Sequence, residues 1–178
     1  MPAASPRALQ LRVELLDVHP VVWRQLQVPE TLTFADLHRV LQVAMGWDDY
    51  HLHRFHVEGV TNSDGGSWAG DTEQTTRLAD LALQPGDTFV YEYDFGDRWE
   101  HEVIVEAVLD ADPKKPYAAC TGGARACPPE DSGGPWGYME QLRARKNRKR
   151  SDLGRGFDPA RFRRGPANDE LRRMTYQP

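Results

Sequence analysis

Cysteine is scarce in this 178-residue chain: two residues cannot build a disulfide framework for a domain of this size, which fits a reducing compartment. Long apolar runs are missing too. No stretch approaches the roughly 18–20 residues that a membrane helix needs, so no membrane-spanning segment is expected. The opening MPAASPRALQ lacks the apolar core of a secretory signal, and a cytoplasmic location is the expectation. Asp94-Phe95-Gly96 imitates a magnesium-binding tripeptide of protein kinases, but no Gly-rich phosphate loop, strand lysine or catalytic-loop motif accompanies it. That match is chance. What remains is an ordinary globular composition, with 39% hydrophobic residues and five Trp, six Tyr and six Phe, which argues against disorder. The length suits one domain, residues 1–178, with residues 1–8 expected as a flexible N-terminus.

The formal net charge of −5 hides an asymmetry. Residues 1–136 carry 10 basic and 22 acidic side chains, whereas the basic C-terminal helical segment, residues 137–178, carries 12 and 5. The densest stretch holds Arg143, Arg145, Lys146, Arg148, Lys149 and Arg150. These six are the candidate polyanion-binding residues. Plain solvation, or docking on the acidic body, is the more ordinary role for such a block.

Alternation of Leu11, Val13 and Leu15 with Arg12 and Glu14 predicts a half-buried strand over Leu9 to Val18. His19-Pro20 interrupts it, and Val22 to Val28 reads as its hairpin partner. Thr33 is a good N-cap with Asp36 three residues on, and Leu32 with Leu37 can form a hydrophobic staple. Leu37, Val40, Leu41 and Ala44 then make the buried stripe of a helix that Gly46 ends. His51 to Glu58 reads as a third strand and Asn62 to Gly70 as a turn-rich loop. Thr88 to Phe95 and Trp99 to Leu109 form the clearest hairpin. Ala111 to Gly134 is expected as an irregular Gly/Pro-rich loop, followed by helices over Gly137 to Arg148 and Asn168 to Met174. The order implies an α+β domain, one helix packed on a mostly antiparallel sheet in a β-grasp-like order.

Four stretches are recognisable together. They are Pro20-Val-Val-Trp23-Arg24 leading to Leu37-His38, Gly46-Trp47 with His51-Leu-His53-Arg-Phe55, Tyr91 to His101, and Cys120 to Tyr138 with Pro128-Pro129-Glu130-Asp131-Ser-Gly133-Gly134. Through them the chain resembles the plasmid pRiA4b ORF-3-like family over roughly residues 8 to 175. The resemblance implies one α+β domain and an association with plasmids and insertion elements. It brings no catalytic residues with it. Many relatives carry Cys where this chain has Ser132, which weakens any metal site built on a third cysteine. Some relatives are labelled transposon passenger or resolvase-like, yet recombinase chemistry is poorly supported. The only early serine is Ser5, and His51-Leu-His53-Arg54 reads as a strand without the supporting helical domain of a tyrosine recombinase.

Two chemistries stay open. On a strand, His51 and His53 at i, i+2 share a face and suit two ligands of one metal, with His101 as third ligand and Asp94 or Asp97 adding oxygen. The same histidines share apolar faces with Phe55, Val57, Trp99 and Val103, as hydrogen-bonded core histidines do. No cofactor is therefore expected; zinc or another divalent metal at His51, His53 and His101 is the alternative. Cys120 and Cys127 lack a tight zinc-knuckle spacing and read as free thiols. Asp131 is expected to hold the Gly133-Gly134 turn, with cation binding by Glu130-Asp131 as the other role. The acidic hairpin face (Glu92, Asp94, Glu100, Glu102) needs basic partners, with Arg98, Arg24 and the C-terminal segment the natural ones. Trp23, Trp47 and Trp68 are candidates for an exposed aromatic surface. The leading expectation is a non-catalytic interaction module for a protein or nucleic-acid partner; the alternative is a metal-dependent hydrolase or nuclease.

Overall fold

The computed structural model describes residues 7–57, 67–68, 71–112, 114, 117–174 and 176. Its strands are β1 (Arg7–Leu15), β2 (Trp23–Pro29), β3 (His53–His56), β4 (Ser67–Trp68), β5 (Thr88–Tyr93), β6 (Trp99–Asp110) and β7 (Ala119–Ala124). They form one sheet in the order β4-β3-β5-β6-β1-β2-β7. Every pairing in it is antiparallel. The helices are α1 (Phe34–Met45), the short α2 (Asp71–Thr75), α3 (Gly134–Lys146) and α4 (Arg164–Arg173). This is the expected α+β architecture. A β-grasp-like order sets its first strand beside a late one in mid-sheet; β1 does lie against β6 here, antiparallel to it. No helix among the described residues is long and apolar enough to cross a membrane.

The alternation in β1 is realised, with Leu9, Leu11, Val13 and Leu15 buried. Its strand begins at Arg7, so Arg7 and Ala8 are ordered sheet residues, while residues 1–6 lie outside the described set. In α1 the Thr33 side chain accepts from the Asp36 N–H and Asp36 reaches back to the Thr33 N–H, a reciprocal cap. Gly46 ends the helix at φ 87°, a conformation that a β-carbon disfavours. The helix buries Phe34, Leu37, Val40, Leu41, Ala44 and Met45 in the core. Phe34 meets Phe55 of β3 edge-on at 5.0 Å, and Phe89 of β5 at 5.9 Å.

Several expectations need correction. The stretch after Ala111 contains β7, which extends the sheet beside β2. The pairing shifts register between Gln25 and Leu26, with Thr121 the extra residue on β7, and Gly123 lies where a β-carbon would fall 2.5 Å from the Phe162 ring. Arg24 is no surface partner of the acidic hairpin: it is buried on the same face as Leu26 and Val28. Its Nε donates to Ala44 O at 2.8 Å, and its Nη1 to the carbonyls of Trp23 and Ala124. Glu92, buried at 1% exposure, takes Arg54 at 2.6 Å instead, with Arg98 at 3.8 Å. Trp47 is buried and Trp23 half-buried beneath Arg12; the Trp68 side chain lies outside the described set, and Trp136 is an exposed indole. Most of the expected Asn62–Gly70 loop, and Glu58, lie outside the described residues; Ser67–Trp68 form a strand.

At the last strand, Asn168 of α4 accepts from the Cys120 N–H at 2.7 Å and donates to the Cys120 carbonyl at 2.9 Å. Arg164 donates to Thr121 O at 2.7 Å. Cys120 and Cys127 are free, as expected.

Candidate functional site

The segment leaving α1 is tied down before it reaches β3. Trp47 stacks on Tyr93 at 4.9 Å and donates its indole N–H to Pro128 O at 2.9 Å. The Asp48 N–H donates to Glu130 Oε1, and the Tyr50 N–H to the Tyr93 hydroxyl, both at 3.0 Å. Leu52 O accepts from the Asp94 N–H at 2.8 Å. These bonds bring the 47–52 segment, the end of β5 and the 128–131 loop to one place.

His51 stands at that place. Its Nε2 lies 3.0 Å from Asp131 Oδ1, 3.5 Å from Asp94 Oδ2 and 3.8 Å from Glu130 Oε2. None of these approaches has hydrogen-bonding geometry, and the buried Nε2 has no hydrogen-bond partner among the described residues. Asp94 uses its other oxygen to accept from the Gly96 and Asp97 N–H groups, which frees Oδ2 for the cluster. Tyr93 donates its hydroxyl proton to Glu130 at 3.0 Å. Burial, reinforced by that carboxylate, pushes the Tyr93 phenol far above its usual range, so it stays a donor. Asp94 and Asp131 both occupy left-handed backbone (φ 59° and 55°), which carries two site carboxylates on turns. The Asp131 side chain is 73% exposed and gives the cluster its open side.

Asp131 does not hold the glycine turn. Asp97 does, through Oδ2 and the Gly133 N–H at 3.0 Å. Gly134, at φ 70°, passes so close to the Asp97 carbonyl that a β-carbon there would sit 2.4 Å away.

The three candidate histidines take three separate sets of partners. His51 precedes β3, so the strand rule that put it on the face of His53 does not apply. His53 Nε2 meets Glu73 Oε2 at 2.8 Å, and its ring stacks on His38 at 3.4 Å. His101 is fully buried, with Nδ1 on Tyr91 O at 3.1 Å and its ring edge-on to Trp47 at 5.3 Å. Desolvation holds its pKa down to about 4, so at neutral pH it is an uncharged core residue. Sequence reasoning offered Asp94 as an oxygen ligand beside His51, and the structure places it there; it missed Glu130 and Asp131 as companions of His51. The available signal was that each belongs to a stretch carrying the family resemblance.

The six candidate polyanion-binding residues lie in α3 and the turn after it, which is mostly exposed. Arg145 donates to Gly154 O at 2.8 Å, and Arg150 approaches Asp152 at 3.9 Å. Among the described residues no ion pair joins this segment to the acidic hairpin face.

The plasmid pRiA4b ORF-3-like family model matches residues 7–164, which include every stretch that converges at His51. The chain belongs to that family. It is 38% identical to the uncharacterized protein y4hQ of Sinorhizobium fredii over 137 residues, covering 74% of this chain and 70% of the relative. It also resembles the crystal structure of a protein of unknown function, MM3350, from Methanosarcina mazei Go1, at TM-score 0.77 and 36% identity. That likeness covers 90% of this chain and 97% of the other. In this pRiA4b ORF-3-like chain, then, three sequence-distant stretches within the matched region meet around one imidazole.

Proposed function

We propose that the protein is a non-catalytic interaction module that works through a divalent cation held by His51, Asp94, Glu130 and Asp131. The observation that carries this reading is the single unpartnered Nε2 of His51 facing three carboxylates within 3.0–3.8 Å. Ligand-type atoms of His51, Asp94 and Asp131 lie within 4.8 Å of one another; carboxylates gathered this closely repel, and a dication offsets that repulsion directly. Carboxylate oxygens suit magnesium, calcium or manganese, and one imidazole favours manganese within that group.

Tyr50 and Leu52, each 72% exposed, flank His51, and Phe95, 43% exposed, follows Asp94. All three are exposed apolar side chains next in sequence to residues of the cluster. The partner we favour is a protein segment offering one carboxylate between apolar side chains. A polyanion such as duplex DNA is disfavoured by the excess of acidic groups in residues 1–136.

Manganese titration of tag-free protein, followed by electron paramagnetic resonance, tests this. One bound equivalent is expected in the native chain, and its loss in Asp131→Asn and Asp94→Asn, both of which keep side-chain shape. Binding that persists in both variants, or none at millimolar manganese, overturns it. Manganese-dependent release of nitrophenol from bis(p-nitrophenyl) phosphate, lost in the same variants, would establish the metal-dependent hydrolase reading instead.

A further inference from the structure

A second cluster lies on the other side of the same segment, between α1, β3 and α2. His38 Nε2 meets Asp49 Oδ1 at 2.9 Å, and His53 Nε2 meets Glu73 Oε2 at 2.8 Å. The two imidazoles are parallel, 4° apart in plane and 3.4 Å between centroids. Ligand-type atoms of His38, Asp49 and His53 all fall within 4.8 Å of one another. Glu73 is 4% exposed, and its second oxygen, Oε1, is buried with no hydrogen-bond partner among the described residues. A buried carboxylate oxygen without a donor is costly, and native structures keep such groups rarely.

The surroundings orient the donors. Gln42 donates its amide N–H to the Tyr91 hydroxyl at 2.9 Å, and that hydroxyl meets His38 Nδ1 at 2.8 Å. Gln42 also accepts from the Asp49 N–H at 3.0 Å, fixing the loop that carries the carboxylate. Outer hydrogen bonds of this kind set the ring orientation of metal-ligating histidines. Two imidazoles and two carboxylates together offer a dication four donor groups.

We propose that His38, Asp49, His53 and Glu73 form a second site, for a borderline divalent transition metal of the zinc class. Two imidazoles with carboxylate oxygens are a zinc-type donor set, unlike the oxygen-rich set around His51. The two ring planes are parallel and stacked apart, so no one point lies in both, and loading must splay the imidazoles until both in-plane lone pairs meet at one ion. Both rings act through Nε2. The site does not depend on the cation reading at His51.

Cobalt(II), a spectroscopically visible substitute for zinc, tests the proposal on the full-length, tag-free protein after chelator dialysis. One equivalent is expected to bind, with a visible d–d band of four- or five-coordinate cobalt, and to be displaced by zinc. That band is expected to survive Asp131→Asn, which touches only the His51 cluster, and to disappear in Glu73→Gln and His53→Gln. In the native chain, cobalt is expected to broaden the His38 and His53 ring signals in NMR spectra, a readout that needs no variant to fold. Absence of the band at tenfold excess cobalt overturns the proposal, as does cobalt binding that leaves both ring signals sharp. Loss of the band in Asp131→Asn with its retention in Glu73→Gln would assign the metal to His51 and also overturn it.

Discussion

The guanidinium carbon of Arg24 sits 3.7 Å from the centroid of the Phe162 ring, stacked beneath it on the buried face of β2. A charge is thus enclosed where a strand pattern calls for an aliphatic residue, and three carbonyls receive its donors. Removing it strands those acceptors. Arg24→Ala is expected to cost about 3 kcal/mol or more in urea unfolding, and Arg24→Lys to recover little, because an ammonium reproduces neither the fork nor the stack. A loss below about 0.5 kcal/mol would show the carbonyls rehydrated at no cost.

Ser132 stands where many relatives are expected to carry cysteine. It is buried, and its hydroxyl has no hydrogen-bond partner among the described residues. A thiol tolerates such a place better than a hydroxyl. Ser132→Cys is expected to stabilise the fold by about 1 kcal/mol, measured by denaturant melts at constant slope.

Acid should weaken the protein through His101. Its folded pKa, about 4, lies below the unfolded value near 6.5, so the unfolded chain binds the extra proton. The stability that neutral His101 preserves is complete above about pH 6.5 and is lost as pH falls towards 4, up to about 3 kcal/mol. NMR titration is expected to find the His101 ring uncharged at pH 5.5. A midpoint above pH 6 would contradict this.

Helix α1 rests on the sheet through Leu41, 1% exposed. Leu41→Ala is expected to destabilise by about 2–5 kcal/mol, as buried leucine truncations do. Chemical denaturation reads this directly.

The basic stretch behaves differently. Changing Arg145, Lys146, Lys149 and Arg150 to Ser is expected to shift stability by less than about 1 kcal/mol, since one backbone hydrogen bond and one exposed ion pair are at stake. Duplex binding by the native chain is expected to be weak at physiological salt. Micromolar retention with a log–log salt slope near about −4, abolished by those changes at unchanged melting temperature, would reverse that expectation.

Local patterns carried much of the fold in the sequence. The Thr33/Asp36 cap, the Leu37/Val40/Leu41/Ala44 stripe and the β5–β6 hairpin depend on neighbours a few residues apart, so their spacing announces them. Strand β7 was hidden because Ala119 to Ala124 contains two glycines and no alternating apolar pattern. Arg24 was hidden because its charge masks the period of β2. At the site, His51 and His53 were legible as ligand-type residues. Asp94 was legible too, as an added oxygen. The other companions were not, because Asp131, His38 and Glu73 are brought to them only by tertiary bonds such as Trp47 to Pro128.

Asn168 offers its amide to both backbone groups of Cys120, the pairing that a neighbouring strand would otherwise supply. A single side chain thereby stands in for an eighth strand at one margin of the sheet. The consequence is directional: strand exchange or fibril-like stacking between copies finds the β7 margin occupied by α4. Self-association by backbone pairing is left with the opposite margin, where the described residues of β4 are Ser67–Trp68.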